Sequence, residues 1–152
     1  MTYFETKRLL EQIRFKRRLA ERIKEEIISL RENYDMLFCP LGNATSRQTH
    51  SQDSPVERLV MRVEDKRAEL EHMLQEIMDL EDKLAGAMRM LTPNEQEIII
   101  GYYMQGKTHY QLANETYYSR ETTFRIKRKA INKIARCMQD AKTQDMRKVD
   151  TL

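Results

Sequence analysis

An all-α fold is predicted by three features of this 152-residue sequence. Ala, Glu, Lys, Leu and Arg make up 66 of its residues, close to the roughly half that marks long helices and coiled coils. Gly (4) and Pro (3) are scarce; average usage would supply about 18, so the frequent turns of a β-sandwich or barrel are excluded. Two long stretches repeat apolar residues at every seventh position, the seam of a helix packed along its length.

The first stretch runs from Thr2 to about Leu37. Leu9, Ile23, Leu30 and Leu37 share a seven-residue spacing broken at Lys16, with Ile13, Ala20, Ile27 and Tyr34 as a second row. From Cys39 to Ser54 the sequence loses periodicity and gains Pro40, Gly42 and small polar residues, which predicts a flexible connector. Ser54-Pro55 then starts a second helix, with Ser54 as cap and Pro55 at the first helical position. Val56, Val63, Leu70, Ile77, Leu84 and Leu91 form its heptad row, and Leu59, Met73, Leu80 and Ala87 flank it, with Lys66 the polar exception. Residues 1–32 carry net +3 and residues 55–91 net −3, so an antiparallel hairpin would set opposite charges side by side. Whether the seams close within one chain or between two is left open by the pattern.

Thr92-Pro93-Asn94-Glu95 predicts a capping box and a third helix carrying Ile98, Ile99, Ile100, Tyr102 and Tyr103 to a stop near Gly106. Thr108 caps a short helix over His109–Glu115, with Leu112 and Ala113 facing inward. Thr116-Tyr117-Tyr118 is a link, and Ser119 caps a helix to about Gln139 whose inward face reads Thr123, Ile126, Ala130 and Ile134. The expected organisation is therefore a helical hairpin or coiled-coil oligomerisation region over 1–91 with connector 39–54, a helix-turn-helix over 92–140, and a frayed tail over 141–152.

Net charge is only +3, but Arg120–Arg136 holds seven basic residues against Glu121 alone. Such a block is a solvated helix face or a polyanion contact. In the second reading Arg120, Glu121, Thr122 and Arg125 occupy the end that enters a major groove and touch bases: Arg suits guanine O6 and N7, and Glu accepts from cytosine N4. Lys107, Ser119, Lys127, Arg128, Lys129, Lys133 and Arg136 are then the phosphate contacts, fixing affinity and register. The competing reading is a small helical bundle whose last helix happens to be basic.

Other chemistry finds little support. His50, His72 and His109 are scattered, with no CxxC or HxxxH spacing for a metal; His109 reads as a phosphate or solvent contact. Ser119 has no base partner, and no Gly-rich phosphate loop exists, so neither an enzyme nor a cofactor is expected. The start has no apolar h-region, and no apolar run approaches the roughly 18 residues of a membrane span. Cys39 and Cys137 are expected to be free thiols in a reducing, cytoplasmic compartment.

The segment from Leu91 to Ile134 resembles region 4 of bacterial sigma factors. Tyr103 and Gly106, Leu112 and Ala113, and Ser119-Arg120-Glu121 stand at matching places, as do Ala130, Ile131 and Ile134. The resemblance implies a sigma-like helix-turn-helix in which Arg120, Glu121 and Arg125 read promoter bases; Arg125 replaces the Gln of the housekeeping sigma. The usual Gly of the turn is Tyr117, a residue that disfavours positive φ. More broadly, the chain resembles phage late-gene regulators of the RinA/ArpU type. Ser119–Ala130 carries the most specific likeness, with Ser54–Asp65 also similar. This implies a double-stranded DNA-binding transcription activator in the cytoplasm of a bacterial host, acting as a dimer, with host RNA polymerase as a candidate further partner. A polymerase-binding accessory subunit and a coiled-coil assembly protein are the alternatives.

Overall fold

The computed structural model describes residues 1–38 and 54–149, with side chains at 1–34 and 54–141. The expected connector, with Cys39, lies outside the described residues apart from Ser54. The architecture is all-α: α1 (Tyr3–Phe38), α2 (Pro55–Met88), α3 (Pro93–Ile99) continuing into a π-helical turn (Ile100–Met104), α4 (His109–Thr116) and α5 (Arg120–Val149). Local signals set the starts. Ser54 Oγ accepts from the Val56 N–H at 3.3 Å, and Glu95 reaches back to the Thr92 N–H at 3.0 Å. In α4 the Thr108 hydroxyl accepts from the Gln111 N–H at 3.2 Å while Gln111 returns to the Thr108 N–H. Helix α5 continues to Val149, past its expected end near Gln139; side chains of the expected tail beyond residue 141 are outside the described residues.

The chain divides into two units. One comprises Leu19–Gln75, built from the later part of α1 and the earlier part of α2. Ala20, Ile23 and Ile27 are buried there, and Leu30, Tyr34, Val56, Leu59, Val63, Leu70 and Met73 are half-buried. Lys66, the polar break in the heptad, pairs across to Glu26 at 2.9 Å and along its own helix to Glu69 at 3.0 Å. Those carboxylates raise its pKa above the usual lysine value, and a polar residue at a seam position helps fix register.

The other unit comprises Met1–Arg18 with Glu76–Leu152. Its core gathers Leu10 and Ile13 from α1, Leu84 and Ala87 from α2, then Leu91, Ile99, Tyr103, Ala130, Ile131 and Ile134. Lys16–Glu76 at 2.7 Å and Arg17–Glu81 at 2.5 Å tie the α1 and α2 portions together, within one chain. The boundary expected after residue 91 is corrected: the helix-turn-helix shares a continuous core with the first eighteen residues and the end of α2. The physical reason is size. Helices α3 and α4 are too short to cover the apolar stripe of α5, so α1 and α2 close it.

Candidate nucleic-acid interface

Two short elements present α5. A π-helical turn forms where Gln105 N–H bonds to Ile100 O at 2.9 Å, and Lys107 N–H closes the end of the segment on Gly101 O at 2.9 Å. Wide turns of this kind interrupt α-helices by one residue. Gly101 lies in it, buried, because a Cβ there would run into Leu112 Cδ2 of α4. Gly106, at φ +70°, ends the segment. Between α4 and α5 the chain turns through Tyr117 at φ 56° and ψ 22°, the left-handed region. A Gly would adopt this backbone without strain; here a tyrosine with 96% of its surface exposed adopts it. Tyr118 Oη accepts from Asn94 at 2.8 Å, tying the turn to α3.

Ser119 is the cap of α5: its Oγ accepts from the Thr122 N–H at 3.1 Å and donates to Thr122 Oγ1 at 2.8 Å. The helix then separates into two faces. Thr123, Lys127, Ala130, Ile131 and Ile134 are buried, while Ile126 is half-buried. Outward, Glu121, Phe124, Arg125, Arg128, Lys129, Asn132 and Arg136 are exposed, on the three- and four-residue spacings of a single helical face. Arg120 is exposed at the first position. Arg120, Arg125, Arg128, Lys129 and Arg136 have no carboxylate or hydrogen-bond partner among the described residues.

Of the expected base contacts, Arg120, Glu121 and Arg125 project from this end of α5. Thr122 is half-buried and bonded to its cap. One of the expected phosphate contacts, Lys127, is corrected by its burial, and two others, Lys107 and Lys133, stand in ion pairs with carboxylates. Lys127 is only 7% exposed; its Nζ lies 3.0 Å from His109 Nε2 and 3.9 Å from the Tyr102 ring centroid. Position 127 follows Thr123 by four and precedes Ala130 by three, so it belongs to the buried stripe. Lys133 pairs with Glu95 at 2.8 Å, and Lys107 with Glu115 at 2.5 Å. Ser119, the one non-basic member of that set, caps its own helix.

The lysine at 127 has an unusual setting. Burial, then the charges of Lys7 and Arg14, push its pKa down to about 8, against the pull of Glu11. Arg14 reaches the same Tyr102 ring, its Cζ 3.9 Å from the centroid, so two cations share one aromatic face system. Burial and the nearby Lys127, Arg120 and Arg14 hold His109 below the usual histidine value. Neutral near pH 7, its Nε2 accepts from Lys127 rather than meeting a phosphate or solvent as its sequence position suggested. Sequence reasoning missed this cluster, and it missed Phe124 on the outward face; the four-residue step from Phe124 to Arg128 was the available signal.

Cys137 is a free thiol. Among the described residues no helix is long and apolar enough to cross a membrane. No curated protein and no solved structure matches the chain. One family model does match, across both long helices and the helix-turn-helix, over residues 6–136, and the chain belongs to that family, DUF722, described as a protein of unknown function.

Proposed function

We propose that the protein is a sequence-specific double-stranded DNA-binding transcription regulator, an activator of phage late genes, with α5 as its reading helix. The observation that carries this reading is the outward face of α5: five cations without partners among the described residues, Arg120, Arg125, Arg128, Lys129 and Arg136, in helical register behind a tight, capped turn. Unpaired cations that close together repel one another, and a polyanion relieves that repulsion. The amides at the start of α5 add a further attraction for phosphate. Arg120, Glu121 and Arg125 address base edges, and Arg128, Lys129 and Arg136 address the backbone.

A homodimer on paired half-sites accompanies the reading, since symmetric sites are matched by two-fold proteins. Phe4 and Phe15, exposed on α1, are apolar surface that a second copy would cover. Sedimentation that gives a monomer both free and on DNA would remove the dimer from the proposal.

The decisive experiment selects bound duplexes from a random pool with the purified protein, then measures affinity against salt. With Lys127 buried and Lys107 and Lys133 held in ion pairs, about three phosphate contacts remain, so log K against log salt should have a slope of roughly −3. A slope near zero, or duplex binding seen only with RNA polymerase present, would overturn the reading.

A further inference from the structure

We infer that Phe124 is a specificity residue that reads the C5-methyl group of a thymine in the major groove, held in its reading pose by His109 and Lys127. The inference rests on the DNA-binding reading above and names one base that the reading leaves undetermined.

A lone exposed apolar side chain is ordinary on a protein surface. Phe124 differs in where it stands and in how it is held. Its ring is 54% exposed, and it occupies the outward face of α5 among Glu121, Arg125 and Arg128, all polar. It is also fixed from behind. The ring meets His109 edge to face, with centroids 5.8 Å apart at 87°, and the Lys127 ammonium lies 5.2 Å from its centroid. His109 in turn stacks on Tyr102 at 4.6 Å and 20°, and Tyr102 meets the buried Tyr103 edge-on at 4.8 Å. Four rings thus run from the core out to the surface, and the last of them is the phenylalanine. A side chain braced in this way loses little freedom on binding.

Chemistry narrows what such a ring can recognise. Phenylalanine has neither a hydrogen-bond donor nor an acceptor. The major-groove edges of guanine, adenine and cytosine present donors and acceptors, and only thymine adds a methyl group. Neighbouring Glu121 and Arg125 supply the hydrogen bonds for adjacent pairs, so the ring has a hydrophobic task left to perform between them.

The test uses the full chain and the duplex it selects from a random pool. Each thymine is replaced in turn by deoxyuridine, which removes the methyl and leaves base pairing intact, and affinity is read by fluorescence anisotropy. One replacement should weaken binding about fourfold, as expected for one buried methyl-sized group. Phe124→Ala should bind the thymine and uracil duplexes equally. If the unaltered protein is indifferent to every thymine methyl while still selecting its duplex, the inference falls and the DNA-binding reading stands. Discrimination that persists in Phe124→Ala assigns the methyl to another side chain and likewise overturns it. Failure to select any duplex overturns the reading beneath it, and the inference with it. The deoxyuridine measurement on the unaltered protein decides the point even if the variant folds poorly.

Discussion

Replacing Tyr117 by glycine is expected to stabilise the protein, although it deletes an aromatic side chain. The residue sits at φ 56° and ψ 22°, where the Cβ of an L-residue crowds the following carbonyl at a cost of roughly 1–2 kcal/mol. Its side chain is 96% exposed, so almost no buried area is lost with it. Glycine gives part of the gain back, because its unfolded chain is freer by roughly 0.5–1 kcal/mol. The net expectation is about 0.5–1 kcal/mol of added stability. Tyr117→Ala is the control, since it removes the ring but keeps the Cβ and therefore the strain; its effect should stay within about 0.5 kcal/mol of zero. Urea denaturation followed by far-UV circular dichroism compares the three proteins. If the glycine variant is no more stable than the alanine variant, the left-handed turn is not strained and the reasoning is wrong.

Gly101→Ala should destabilise by about 1–3 kcal/mol, the usual cost of overpacking, because the added methyl meets the buried Leu112; denaturation midpoints measure it. Lys133→Met should cost about 1–3 kcal/mol at neutral pH by stranding a nearly buried carboxylate, while leaving the salt slope of DNA binding unchanged. Burial alone would raise the Glu95 pKa, but hydrogen bonds from Lys133 and Thr92 outweigh it and hold the group below 4.5. A depressed carboxyl pKa stabilises the fold above the unfolded value and loses that contribution as pH falls through the folded one. The Lys133→Met penalty should therefore shrink in acid, and a pH series of melts would show whether it does. For Lys127 the pKa near 8 lies below its unfolded value, so the unfolded chain holds more protons between the two and stability should rise with pH from about 8 to 10.5. In Lys127→Met that rise should be smaller.

Much of the fold was legible because its signals are local. Heptad rows, the Ser54-Pro55 start, and the Thr92 and Thr108 caps each depend on residues within a turn or two of one another. Lys66 looked like a flaw in a heptad and proved to be an ion-pair position. The candidate site was harder. Residue type alone groups Lys127 and Lys133 with Arg128 and Lys129; helical phase puts Lys127 among Thr123 and Ala130, inside. Tyr102 and His109 come from different elements, so no spacing announces their stacking. The unit boundary was out of reach for the same reason: Leu10 and Ile131 share a core only in three dimensions. Tyr117 shows the reverse case, in which tertiary packing imposes a backbone that its own side chain disfavours.

That shared core bears on how the molecule is made. During synthesis the α1 segment bearing Leu10 and Ile13 leaves the ribosome long before Ile131 and Ile134, its partners. Until α5 emerges, those apolar side chains have no finished core to enter. The segment Leu19–Gln75, whose contacts pair consecutive helices, is the part able to form while translation continues, and closing it shortens the search that brings distant partners together. Helix α5 therefore packs into its place only at the end, in a step dominated by contacts between residues far apart in the sequence, the kind that fold slowly. A chain arrested before α5 would expose the apolar face of its first helix to chaperones and proteases and would lack the basic helix altogether.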